Sequence, residues 1–532
     1  MRSLQLIMAC LVLSLTARGQ QPATDVRVDV SSTAAAIDDL FMATWKTENV
    51  VAAAPASDAE FLRRLHLDLG GRIPAISDVR DFLADTDPEK RQQAVDRLLD
   101  SPAFVRHFTI VWRNALIPQA NSEPQLRSLI PGFEAWLWQH LSTNRPYDQI
   151  VRDMITTELN PTNAAALAST TSPDAFFVAR ELKPENLATG TARAFLGVRL
   201  DCAQCHDHPF DKWKQSQFWN LAAFYSGFAR PDTDDDNPAM AMTMVENTAT
   251  RSIRIPGSDT LVPARFLNGD EPDWVGTNQT PRAALAEWLV NEQNPWFARM
   301  AVNRMWEQFF GRGLVDPVDD FSDNNPPSHP DVLQILAQAF VSSGYDLQHV
   351  IRIITATRVY QLSSAQSHPS QTEPQHFARS VLRGLTPEQF FDSLAEAVGF
   401  YQPYRSDNPF VIETDSPRAR FLELFRDSSE SGLEAETTIL QALAMMNGEF
   451  IGTATSPDDS QTLRAITEFP GMTDDERLET VFLATVSRPP TDKEREKLTE
   501  YLKSGSPDST PGSALSDIFW ALLNSSEFLL NH

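Results

Sequence analysis

Cys202-Ala203-Gln204-Cys205-His206 sets two thiols three positions apart, with an imidazole directly after them. Thiols at that spacing can form thioethers with the two vinyl groups of one haem c, and the following histidine can ligate its iron from the proximal side. The chain holds three cysteines in 532 residues, and two of them are here. A six-coordinate electron-transfer haem needs a distal ligand, usually Met or His. Met240, Met242 and Met244 form a run beyond the motif, and His329 is a further candidate. The stretch continues His206-Asp207-His208-Pro209-Phe210-Asp211. Cys202 and Cys205 with His206 or His208, and Asp211 beside them, would also suit a Zn or Fe centre. Two more readings stay open: a redox dithiol, and a local structural disulfide with hydrogen-bonded histidines.

A second group is Asn303, Arg304, Trp306 and Arg312. An Arg fork beside a Trp face could bind a carboxylate, sulfate or sugar. Plain helix packing explains the same residues, with Trp306, Phe309 and Phe310 in the core and Gly311 and Gly313 ending the helix. Asp319, Asp320 and His329 could supply a general base or metal ligands. A loop capping the next helix, with Ser328 as N-cap before Pro330, explains them equally. Asp68, at an apolar helix end, is expected to pair with Arg63, Arg64 or Arg72. No Gly-rich phosphate loop, G-x-S-x-G or H-E-x-x-H occurs.

The elements that must position these groups read mainly as helices. Apolar residues recur at helical spacing over 61–69, 77–83, 88–99, 104–116, 133–140 and 147–159. A helix over 191–200 leads into the Cys-His motif, and Phe218, Leu221, Ala222 and Tyr225 mark another just after it. Residues 230–280 differ: a polar loop over 231–238 is followed by the strand-like alternation of 250–255. Helical patterns resume over 282–291, 296–310, 330–343, 347–357, 387–399, 437–446, 474–486, 492–503 and 514–531, with an irregular stretch at 401–434.

Residues 1–19 carry Arg2, an apolar run from Leu4 to Leu15, and small residues Ala17 and Gly19 before Gln20, the pattern of a cleaved secretory signal. The run is about a dozen residues, short for a bilayer span, so no transmembrane segment is expected after cleavage. Cleavage would also remove Cys10 and leave Cys202 and Cys205 as the only thiols. The formal net charge of −26 argues against nucleic acid and anionic membrane as partners.

Two long blocks resemble domains found together in exported planctomycete-type proteins. Phe61 through Pro74, Val95 through Pro102, and Phe195 through Trp213 resemble the cytochrome-c-like domain of unknown function 1549. Asn303 through Val315, Asp319-Asp320-Phe321, Pro326 through Pro330, Leu440 through Leu443 with Met446-Asn447-Gly448, and Leu523 through Phe528 resemble its companion, domain of unknown function 1553. Arg113-Asn114 stands where the first family commonly has an aspartate-bearing stretch. The resemblance implies an exported, mainly helical protein and no particular activity.

The expectation is thus a mainly α protein of two helical domains joined by a linker with a small β element. Its parts are a signal (1–19), an N-terminal extension (20–57), a helical domain with the Cys-His motif (58–229), a linker (230–280) and a second helical domain (281–532). The expected function is an exported, periplasmic or cell-surface c-type haem protein in electron transfer with a redox partner protein. The alternatives are a Zn- or Fe-binding enzyme or binding module acting on an extracellular substrate such as polysaccharide, and a non-catalytic cell-surface scaffold.

Overall fold

The computed structural model describes residues 29–121, 126–159, 171–228, 246–277, 279–401, 416–424, 459–504 and 511–532, with positions 452, 455 and 456. The signal-like segment, the 231–238 loop, Met240, Met242, Met244, the 437–446 helix and most of 401–434 lie outside the described residues, as do the 440–443 and 446–448 motifs.

The protein is mainly α. Its helices start where the local chemistry asks for a start. The Ser57 hydroxyl accepts the Glu60 N–H, Ser101 caps a helix that opens on Pro102, and Thr386 with Gln389 and Thr473 with Glu476 form capping boxes. The predicted β element is a hairpin, Ser252–Arg254 paired antiparallel with Leu261–Pro263. A second short pair, Arg383–Gly384 with Leu530–Asn531, is absent from the sequence expectation. The closing helix is shorter than expected: Pro511–Leu523 stops, and Ser525 caps a separate turn, Ser526–Leu529, before the strand.

Two apolar cores organise the chain, and they divide it along a different line from the linker. The first gathers buried residues from Ile37 to Ala378, together with Leu483. The second gathers Phe390 to Phe528, with Leu67 and Ile73 inserted from the first half. The helix Phe297–Phe310 explains the first core's reach. It buries Phe297, Val302, Met305, Trp306, Phe309 and Phe310, a wide apolar face that neighbouring elements must cover, while Arg299, Arg304, Glu307 and Gln308 line its polar side. Residues 29–48 are part of that cover rather than an extension. The helix Val30–Glu48 buries Ile37, Phe41 and Trp45 at four-residue spacing, and Phe41 stacks on Trp306 with ring centroids 5.8 Å apart.

Buried cations join the two cores. Arg63 donates to the carbonyls of Thr485, Glu527 and Phe528, and Arg64 to those of Tyr360, Leu362 and His532. Asp68, almost fully buried, does not pair with Arg63, Arg64 or Arg72. It accepts from Arg383 (2.5 Å), Asn531 (2.7 Å) and the Tyr360 hydroxyl (2.9 Å). The reason is local: residues 66–70 form a π-helical turn, and its extra residue breaks the i,i+4 register that the helical reading assumed. Arg113 pairs with Glu134 (3.1 Å) and Glu388 (3.3 Å).

Candidate functional site

The helix expected over 191–200 does not run into the Cys-His motif; the α-helix here is Pro184–Thr191. It ends in a second π-helical turn, Ala192–Leu196, and Gly197 then adopts φ +66°. A Cβ at Gly197 would lie 2.4 Å from the Phe321 ring and 3.0 Å from the Met300 sulfur. Both the left-handed backbone and the close approach therefore require glycine. From here the chain turns outward, and Asp201–Gln204 forms a single 3₁₀ turn carrying the motif.

Ala203 is the buried anchor of this turn, while Cys202, Cys205 and His206 are exposed and both thiols are free. The following helix, Gln215–Ala222, holds the turn from behind. The Trp219 indole N–H donates to the Gln204 carbonyl (2.9 Å), and the Gln215 carboxamide donates to the Cys205 carbonyl (2.8 Å). Asp207 joins the same anchorage by accepting the Gln215 N–H (3.0 Å) and pairing with Lys214 (3.1 Å). The Gln215 N–H, and then Lys214, hold its carboxyl below the usual range.

The two histidines are fixed in opposite tautomers. His206 Nδ1 lies 2.9 Å from the Asp207 carbonyl oxygen. A carbonyl can only accept, so Nδ1 carries the hydrogen and Nε2 keeps its lone pair. His208 Nδ1 instead accepts the Phe210 N–H (3.3 Å), so in the neutral ring the hydrogen is on Nε2. Asp211 accepts the Lys212 N–H of its own loop (2.7 Å). Among the described residues no three His, Cys, Asp or Glu side chains come together in an arrangement that could hold a metal ion.

The structure places the second predicted group largely in backbone and core contacts. The Asn303 carboxamide is fully buried and committed to backbone: it donates to the carbonyls of Val315 (2.9 Å) and Val318 (3.3 Å) and accepts the Val315 N–H (3.0 Å). Arg304 is half-buried beside Tyr147. Trp306 is in the core, stacked on Phe310 with centroids 4.2 Å apart, and Gly311 ends the helix with φ +73°. His329 packs on Phe41 (4.4 Å between centroids) and Phe377, with Ser328 beside Nδ1. Its ring therefore faces the first core and not the Cys-His turn, and burial pushes it down to about 4. Ser328 is not the N-cap. Its N–H and hydroxyl donate to the Leu314 carbonyl, and His329 takes the cap position.

What reaches the Cys-His segment from the second half is the loop that Asn303 clamps. Asp319 accepts two hydrogen bonds from Arg199 (3.0 and 2.5 Å), the Phe321 N–H donates to the Gly197 carbonyl (2.7 Å), and the Asn324 carboxamide donates to the Phe210 carbonyl (2.6 Å). Gln215, Trp219 and Asn324 were not found from the sequence. Trp219 alone left a trace, as a large side chain off the apolar stripe of its helix.

The site and fold define a mainly helical protein that presents a C-x-x-C-H turn to solvent, buttressed from both halves of the chain. Residues 36–230 match PSCyt2, a protein family of unknown function (DUF1549), and residues 281–420 and 404–502 match PSD1, likewise of unknown function (DUF1553). No curated protein and no solved structure matches it. No helix of the described residues is long and apolar enough to cross a membrane.

Proposed function

We propose that this chain is an exported c-type haem protein that passes electrons to or from a partner protein. One observation carries the reading. Two free thiols and an adjacent imidazole are exposed together on one turn whose backbone is fixed by Gln215 and Trp219. Cys202 and Cys205 would be the thioether anchors, and His206 the proximal ligand through Nε2. The Asp207 carbonyl contributes by holding the tautomer that leaves Nε2 bare, the usual role of the group hydrogen-bonded to a ligand histidine's other nitrogen. Haem bound there supplies reversible one-electron transfer. With haem bound there, the pinned turn and the buried Ala203 would hold the ligand-bearing backbone in place. The signal-like residues 1–19 support export, the compartment in which bacterial haem c attachment takes place.

The test is expression of the full chain with its signal in a host that matures c-type haems. The expected result is a Soret band, a pyridine haemochrome, and a mass increase of one haem that Cys202→Ser and Cys205→Ser each alter. A protein without haem but with stoichiometric zinc or iron would overturn the proposal in favour of a small-metal site at Cys202, Cys205 and a histidine. A protein with neither would overturn both.

A further inference from the structure

The structure assigns to Asn324 the role of a positioning residue that decides which of the two motif histidines offers an outward lone pair. The route is short. The Asn324 carboxamide N–H donates to the Phe210 carbonyl at 2.6 Å, and the N–H of that same Phe210 donates to His208 Nδ1. Packing contributes little to holding Phe210, whose side chain is 80 % exposed. The loop around it closes through the His208 N–H on the Trp213 carbonyl (2.8 Å) and the Lys212–Asp323 pair (3.5 Å). Asn324 thus sets the orientation of the Phe210 backbone, and Phe210 sets the tautomer of His208. His206 depends on neither, because its partner is the adjacent Asp207 carbonyl.

Asn324 is itself held by the fold of the second half. Asn303 clamps Val315 and Val318, the Asn325 carboxamide donates to the Asp320 carbonyl (2.9 Å), and Phe321 and Asp319 fasten the loop to Gly197 and Arg199. The loop therefore grips the Cys-His segment on both flanks, before Cys202 and after His206. The site is composite: the PSCyt2 region carries the ligands, and the PSD1 region selects between two imidazoles only two residues apart. The consequence for iron ligation rests on the haem reading; the tautomer assignment does not.

The experiment uses the full-length chain without haem, labelled with ¹⁵N-histidine, at about pH 8, where imidazole is neutral. Long-range ¹H–¹⁵N spectra report which ring nitrogen carries hydrogen, with signals assigned from His206→Gln and His208→Gln. The wild type should show His206 as Nδ1–H and His208 as Nε2–H. Asn324→Asp, of the same size but without the donor, and Asn324→Ala should each lower the Nε2–H to Nδ1–H ratio at His208 about fivefold, the weight of one hydrogen bond. His206 should not change in either variant. An unmoved His208 in both variants, or equal shifts at both histidines, would overturn the role. A wild type that takes up no haem in the maturing host, while the Asn324 variants show these tautomer shifts, would overturn the haem reading alone. A haem-bearing wild type whose His208 ignores Asn324 would overturn this inference alone.

Discussion

Gly197→Ala should destabilise the protein by about 2–4 kcal/mol, and Phe321 should account for much of the loss. The backbone part follows from φ +66°, where a residue with a Cβ costs roughly 1–2 kcal/mol more than glycine. The steric part follows from the 2.4 Å approach of the added carbon to the Phe321 ring; overpacking of this kind costs about 1–3 kcal/mol. The ring has little freedom to retreat, since the Phe321 N–H is bound to the Gly197 carbonyl at 2.7 Å. A small offset of about 0.4–1 kcal/mol comes from the lower entropy of the unfolded alanine chain. Urea denaturation of the wild type, both single variants and the double variant with Phe321→Ala would measure the terms. The expected pattern is a lower midpoint at unchanged slope, and a double variant less destabilised than the two singles added together. A loss under about 1 kcal/mol, or strict additivity, would refute the claim that the turn before the Cys-His motif is shaped by contact with the second half.

Asp68→Ala should cost about 3–5 kcal/mol by leaving the buried Arg383 uncompensated, seen as a fall in the urea midpoint. Asn303→Ala should cost about 2–4 kcal/mol by orphaning buried backbone groups at Val315 and Val318, and hydrogen exchange should rise over 314–325. His329→Phe should flatten the acid side of the stability profile. The folded imidazole is held near 4, by burial and by the nearby His376, against 6.5 when exposed. Its stabilising share is complete above 6.5 and is lost as pH falls toward 4, because the unfolded chain takes up the proton first. Stability of the variant between those values, measured by urea titration at each pH, should decline less than that of the wild type. An equal decline would assign the acid response to other groups.

Much of the helical layout is legible in the sequence, because amphipathic spacing and Ser, Thr and Pro starts are local signals. The same holds for the hairpin at 252–263, whereas the turn that carries the Cys-His motif is not legible, since the spacing reads as a helix running into it. Three features lie beyond what amphipathic spacing can register. The two π-helical turns at 66–70 and 192–196 carry an extra residue that a 3.6-residue period cannot register. The partner of Asp68 lies 315 positions away in Arg383, where no spacing rule reaches. The Asn303 carboxamide has the composition of a ligand group and the surroundings of a backbone clamp, a difference that only the path of residues 315–318 reveals.

The buried arginines near the start of the described chain bear on how the protein is made. Arg63 is bound to Phe528 across 465 positions, and Arg64 to His532 across 468. During synthesis the Arg63 guanidinium cannot complete its set of acceptors until residues 527–528 emerge, while Arg64 meets the Tyr360 and Leu362 carbonyls earlier. Until then the 58–65 helix cannot bury Arg63 as it is in the finished fold. Closing so long a loop is slow and depends on topology, which leaves a window in which chaperones can hold the unfinished chain. The two sequence families are consequently not two separable products. A gene cut in the 230–280 stretch should yield fragments that stay insoluble apart and recover structure only when expressed together.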